Sequence, residues 1–172
     1  QTFAIEHPDR CRGMVSMASN TGNRDFGRPS GPTLQAMLTP APDDPTAAVE
    51  KELTDRRLWA SVWHDDDHAR AVFTAYAERS VQPRHAFERQ ITAAMAHGNR
   101  EDRLATITVP TLVVHGTADT LVTLSGGQRT AEVIPGADLM VIEGWGHDMA
   151  PGAWPCLIDV ISTHCHGVDS TN

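Results

Sequence analysis

Two residues in this 172-residue chain have the types and the setting for proton-transfer chemistry. His147 lies in Glu143-Gly144-Trp145-Gly146-His147-Asp148-Met149-Ala150-Pro151, just past the apolar run Leu139-Met140-Val141-Ile142. Asp119 lies in Thr117-Ala118-Asp119-Thr120-Leu121-Val122, just past the run ending at Gly116. An imidazole acts as a general base when a carboxylate accepts from Nδ1–H, which fixes the tautomer and stabilises the imidazolium that forms. Taken alone, Asp119 reads as a turn aspartate and His147 as an ordinary loop histidine. At the ends of successive strands they read as an acid–histidine pair.

The elements that must hold them follow from hydrophobic patterning. Val109-Pro110-Thr111-Leu112-Val113-Val114-His115-Gly116 predicts a buried strand, residues 124–134 a helix, Leu139–Ile142 a strand and residues 153–164 a last helix. Nearer the start, residues 1–7 predict a helix end stopped by Pro8, and Gly13–Ala18 a buried strand. Residues 20–32, rich in Asn, Gly, Pro and Ser, predict a loop.

Between the strands lies a block without strand-like runs. Asp44-Pro45-Thr46 is a helix start, with Asp44 as N-cap. Val49, Leu53, Trp59, Ala60 and Trp63 then mark one helical face. Further helices are expected near 67–80 and 84–97, the latter closed by Gly98. Strands separated by helices imply a parallel sheet with right-handed crossovers. Catalytic groups collect beyond the carboxyl ends of such strands.

With these residues in place a resemblance can be stated. Val109-Pro110-Thr111-Leu112-Val113-Val114-His115-Gly116-Thr117-Ala118-Asp119, then Ile134-Pro135-Gly136-Ala137, then Gly144-Trp145-Gly146-His147 resembles the C-terminal third of the α/β-hydrolase family. Ala4-Ile5-Glu6-His7-Pro8-Asp9-Arg10 resembles the end of the helix that follows that family's nucleophile, and Gly13–Ala18 its sixth strand. The intervening helices occupy the family's lid position. Arg89-Gln90 and the stretch up to Arg103-Leu104 are similar to the lids of aclacinomycin methylesterase-like esterases.

The resemblance implies an α/β fold in three parts: a core segment over 1–32, a helical lid over 33–103, and a C-terminal core segment over 104–172 bearing the acid and the histidine. It implies hydrolysis of a small carboxylic ester by a Ser-Asp-His mechanism, with no metal or organic cofactor. Lactonases, dehalogenases and haloperoxidases use the same scaffold and remain alternatives.

One departure matters. The family's nucleophile elbow, G-x-S-x-G, precedes its acid and histidine in chain order, and no such motif occurs in this sequence. Gly27-Arg28-Pro29-Ser30-Gly31 has the wrong spacing, and Ser125-Gly126-Gly127 follows Asp119. The elbow is expected a few residues before Gln1. The chain by itself is then expected to be inactive, with an absent N-terminal half pairing against the Gly13–Ala18 strand. A non-catalytic binding module built from half a hydrolase is the competing class. It would leave an apolar strand edge bare, which favours aggregation.

Other features bound the partners. The net charge of −8 argues against nucleic acid and anionic membranes, and no apolar run approaches the roughly 20 residues of a bilayer span. Three cysteines, Cys11, Cys156 and Cys165, fit a reducing, cytoplasmic setting, the first two as buried thiols. His64-Asp65-Asp66-Asp67-His68 offers metal-type ligands but reads better as the acidic start of a helix, and His164-Cys165-His166 as a frayed tail. Trp145 and Met149, flanking His147, are candidate pocket walls. Trp59 and Trp63 are weaker candidates, because aromatics at helical spacing are more often core.

Overall fold

The computed structural model describes residues 1–79 and 86–170. Three strands, β1 (Met14–Met17), β2 (Thr111–Gly116) and β3 (Asp138–Ile142), form one parallel sheet in the order β1-β2-β3. Met14 pairs with Thr111 and Gly116 with Ile142 at the ends of the ladders. The central strand is buried along its whole length. This is why its sequence reads as an apolar run rather than an alternation. It begins one residue after Pro110, which has no N–H to give to a ladder; the Pro110 carbonyl instead accepts from Met14 N at 2.9 Å.

Helices cover both faces. On one, Leu112, Val114, Ile142, Trp145, Ala153 and Leu157 form a core beneath α8 (Trp154–Ser170), with Val15 and Met17 packed against it. On the other, Ala4 of α1 (Thr2–Glu6), Met14, Leu104 of α6 (Glu101–Leu104), Ile107 and Ile134 form a second core. The last of these follows α7 (Leu124–Val133), the helix that joins β2 to β3. Each fully buried aliphatic side chain contributes about 1.5–3 kcal/mol relative to exposure.

Between β1 and β2 lie α2 (Gly31–Leu38), α3 (Pro45–Arg56), α4 (Asp66–Arg79) and α5 (Ala86–His97). The Asp44 carboxylate caps α3 by accepting from Ala47 N at 2.7 Å. Gly98 follows α5 at φ +67, the left-handed position that ends many helices. The expected helix limits at Ser80 and Arg84 fall outside the described residues, as does the side chain of Phe87.

Four expectations need correction. First, α2 begins at Gly31, inside the stretch read as loop. Ser30 caps it with Pro32 in the first turn, a start signal that the surrounding turn residues masked. Second, α3 ends at Arg56, so Trp59, Ala60 and Trp63 share no helical face. Their backbone crosses the loop that carries His147. Third, α8 continues to Ser170, so His164-Cys165-His166 is helix and not tail. Buried Val168 packs on Gly13, where a Cβ would lie 2.8 Å from Val168 Cγ2, and Arg12 pairs with Asp169 at 2.7 Å. Fourth, Cys11 and Cys156 are half-buried rather than buried.

At the sheet's margins, β1 and β3 pair only with β2 among the described residues. Leu139, Met140 and Val141 of β3 are exposed. No described helix is long and apolar enough to cross a membrane.

Candidate active site

The carboxyl ends of β2 and β3 open into two loops that bond to each other. Thr117 N donates to Ile142 O at 3.1 Å, Ala118 N to Trp145 O at 3.0 Å, and Gly144 N to Thr117 Oγ1 at 2.9 Å. Gly116 permits this approach, since a Cβ there would fall 1.9 Å from Trp145 O.

Asp119 and His147 meet across this junction. His147 Nδ1 lies 2.8 Å from Asp119 Oδ2. The other carboxylate oxygen, Oδ1, accepts from the backbone N–H groups of Leu121 and Val122, each at 2.9 Å. The carboxylate is thereby locked, and its side chain is fully buried. The His147 side chain keeps 27 % of its surface exposed, and Nε2 carries no hydrogen bond among the described residues. With Nδ1–H donating to Asp119, the unprotonated Nε2 is left as an available base.

A second imidazole supports the first. His115, fully buried in β2, places Nε2 2.7 Å from Val122 O and 3.5 Å from Asp119 Oδ2. A carbonyl only accepts, so His115 Nε2 carries the proton. Its Nδ1 has no partner among the described residues and faces α7, where a Cβ on Gly127 would lie 2.4 Å away. Burial pushes the Asp119 carboxyl up. The hydrogen bonds from His115 and His147, the charge of His147 and the Val122 N–H outweigh that and hold it below the ordinary carboxylate value.

The other expected site residues divide. Trp145 is 1 % exposed, packed in the core beneath α8 with its indole N–H on Asp148 O at 2.8 Å. It is a core residue and not a pocket wall: it lies two positions from His147, but its own side chain turns inward. Met149 is 60 % exposed, beside His147 in sequence. Trp59 is buried, and its carbonyl accepts from His147 N at 2.7 Å. Trp63 is exposed at 37 % and lies against Gly152, where a Cβ would meet it at 2.6 Å.

His64 directs its two ring nitrogens at different carboxylates, Nδ1 at Asp148 Oδ2 (3.4 Å) and Nε2 at Asp66 Oδ1 (3.0 Å). The acidic stretch thus splits between an ion pair of Asp66 with Arg57 and helix-start bonds such as Asp65 Oδ1 to His68 N. Sequence reasoning missed His115, His64 and Asp148. A histidine inside the run Leu112-Val113-Val114 was a usable signal, because a buried polar side chain requires a partner. Asp148 gave no signal beyond adjacency to His147, and His64 was read only as part of the acidic start of a helix.

Comparison with known proteins bears on the family and the fold. The family model described as "Serine aminopeptidase, S33" matches residues 1–151. No curated protein sequence matches the chain. Among solved structures, a meta-cleavage product hydrolase from Pseudomonas fluorescens superposes with a TM-score of 0.64 at 23 % identity, over 98 % of this chain and 58 % of its own. A 2-hydroxy-6-oxo-6-phenylhexa-2,4-dienoate hydrolase from Rhodococcus gives 0.70 at 16 %, over 96 % and 59 %. A protein described as an N-acyl homoserine lactone degrading enzyme gives 0.57 at 27 %, over 84 % and 54 %. The chain therefore spans less than two thirds of the length of each of these proteins.

Proposed function

Because this chain belongs to the serine aminopeptidase S33 family of α/β-hydrolases, we propose that it supplies the acid–base half of a hydrolase that cleaves small carboxylic esters. The observation carrying the reading is the 2.8 Å contact between His147 Nδ1 and a buried, doubly anchored Asp119 at the ends of adjacent parallel strands. In this reading His147 Nε2 takes the proton of a serine hydroxyl as its oxygen attacks the ester carbonyl. It returns the proton to the leaving alkoxide, then activates water against the acyl-enzyme. Asp119 keeps the imidazole oriented throughout. The nucleophile and the oxyanion-binding N–H groups belong to a segment outside this sequence, which pairs with the β1 edge. The helices between β1 and β2 serve as the lid over the pocket, and the unpaired thiols fit a cytoplasmic setting.

A lactone substrate is the second reading. It is favoured by the likeness, at 27 % identity, to the N-acyl homoserine lactone degrading enzyme.

The test compares two proteins: this chain alone, and this chain joined to an upstream segment carrying G-x-S-x-G. Both are assayed with a p-nitrophenyl ester, an N-acyl homoserine lactone and a serine-directed fluorophosphonate. The joined protein is expected to label and to turn over ester, and the chain alone to do neither. Labelling of the chain alone would overturn the missing-serine reading, and a joined protein that labels but hydrolyses neither substrate would overturn the ester reading.

A further inference from the structure

We infer that His64 is a positioning residue for His147: by bridging Asp148 and Asp66 it pins the histidine-bearing loop to the segment between α3 and α4. Its value for catalysis rests on the reading of His147 as general base; the clamp itself rests on geometry alone.

The two segments are joined at backbone level. His147 N donates to Trp59 O at 2.7 Å and Val62 N donates to Gly144 O at 2.9 Å. They lie so close that a Cβ on Gly146 would fall 2.2 Å from Trp59 O and 2.6 Å from Ser61 N. The glycines around His147 are thus spacers for this contact. The remaining anchor is the Asp148 carboxylate, whose side chain is only 10 % exposed. Its Oδ1 accepts from Ser61 N at 3.0 Å, and its Oδ2 faces His64 Nδ1 at 3.4 Å. A carboxylate this buried requires partners for both oxygens.

His64 is held from behind. Its Nε2 meets Asp66 Oδ1 at 3.0 Å, and Asp66 is gripped by Arg57 through two contacts of 3.0 and 2.6 Å. The result is an alternating row, Arg57–Asp66–His64–Asp148, ending one residue from the catalytic imidazole. Neutral imidazole has one N–H, so both carboxylates are bonded at once only by the imidazolium. The row lets the helical block set where the His147 ring sits. Misplacement of a reacting group by about 1 Å costs on the order of 100-fold in rate.

The test follows amide hydrogen exchange in this chain by NMR. His64→Leu is expected to speed exchange at Ser61 and His147 by about tenfold or more, with Val113 and Val114 of β2 unchanged, as for a local opening. His64→Asn, whose side-chain N–H₂ stands where Nδ1–H was but which loses the Asp66 contact, is expected to restore part of the protection. Unchanged exchange at Ser61 and His147, equal acceleration at Val113 and Val114, or failure of the Asn variant to rescue would each overturn the proposal. Where His64→Leu does not fold, Asp66→Asn is read at the same two amides: acceleration there supports the clamp and none overturns it. Exchange is independent of turnover. A chain that shows the clamp yet forms no active hydrolase therefore sinks only the ester reading, and an active hydrolase without the clamp sinks only this one.

Discussion

Across 28 residues of chain, His147 Nδ1 comes to rest 2.8 Å from Asp119 Oδ2. Nothing local brings them together. The contact exists because β2 and β3 are neighbours in register, with Gly116 opposite Ile142, so the loops leaving both strands emerge side by side.

Asp119→Asn keeps the size of the side chain but presents an amide that cannot stabilise the imidazolium. In the protein joined to its upstream segment, kcat for a p-nitrophenyl ester is expected to fall on the order of 10³–10⁴-fold. KM is expected to change little. A variant within about threefold of wild type would remove Asp119 from the mechanism.

His115→Leu removes the donor to Val122 O and one of the groups that hold the Asp119 carboxyl low. Urea denaturation should show a loss of about 1–3 kcal/mol, the cost of leaving a part-buried carbonyl without its donor. The Asp119 carboxyl, followed by carbon NMR, should titrate closer to the ordinary carboxylate range.

Two glycine variants separate crowding from backbone strain. Gly146→Ala places a methyl 2.2 Å from Trp59 O, whereas Gly136, at φ +71, has nothing within 4 Å of a Cβ. Gly136→Ala is expected to cost about 1–2 kcal/mol for the left-handed conformation alone. Gly146→Ala should cost more, about 2–3 kcal/mol from overpacking, and should also disturb the His147 ring signals. Equal losses would mean that the backbone contact with Trp59 is soft.

Gly127→Ala tests the same logic against helix propensity. Alanine in place of glycine inside a helix gains about 1 kcal/mol, but here its Cβ would lie 2.4 Å from His115 Nδ1. Thermal denaturation is expected to show destabilisation in spite of the propensity gain.

The acid limb of the stability curve should depend on Glu101. Arg129 holds it in two contacts of 2.8 and 3.0 Å, burial opposes them, and Asn23 and Thr21 add hydrogen bonds. The net effect lowers its carboxyl from 4.5 to about 2. The unfolded chain therefore binds more protons than the folded one between those values. Stability from this group is complete above about 4.5 and is lost as pH falls toward 2. Asp119, also lowered, acts in the same direction. Arg129→Gln should flatten this fall in urea midpoints measured across that range. An unchanged slope would show that the pair does not couple to folding.

By itself the sequence determined the three strands, their parallel pairing, and the pairing of Asp119 with His147. Apolar runs, proline stops and strand-end motifs are local signals, and this sheet obeys them. The tertiary structure alone decided what each flanking side chain does. Trp145 and Met149 stand at similar distances in sequence from His147, yet one is core and the other exposed, because β3 and α8 close over only one of them. Trp59 and Trp63 looked like a helical face until α3 ended at Arg56 and their backbone was drawn onto the His147 loop. The His64–Asp148 contact and the seating of Val168 on Gly13 join residues more than 80 positions apart. Burial and ion-pair partners are set by such long-range contacts, and no local pattern in the chain encodes them.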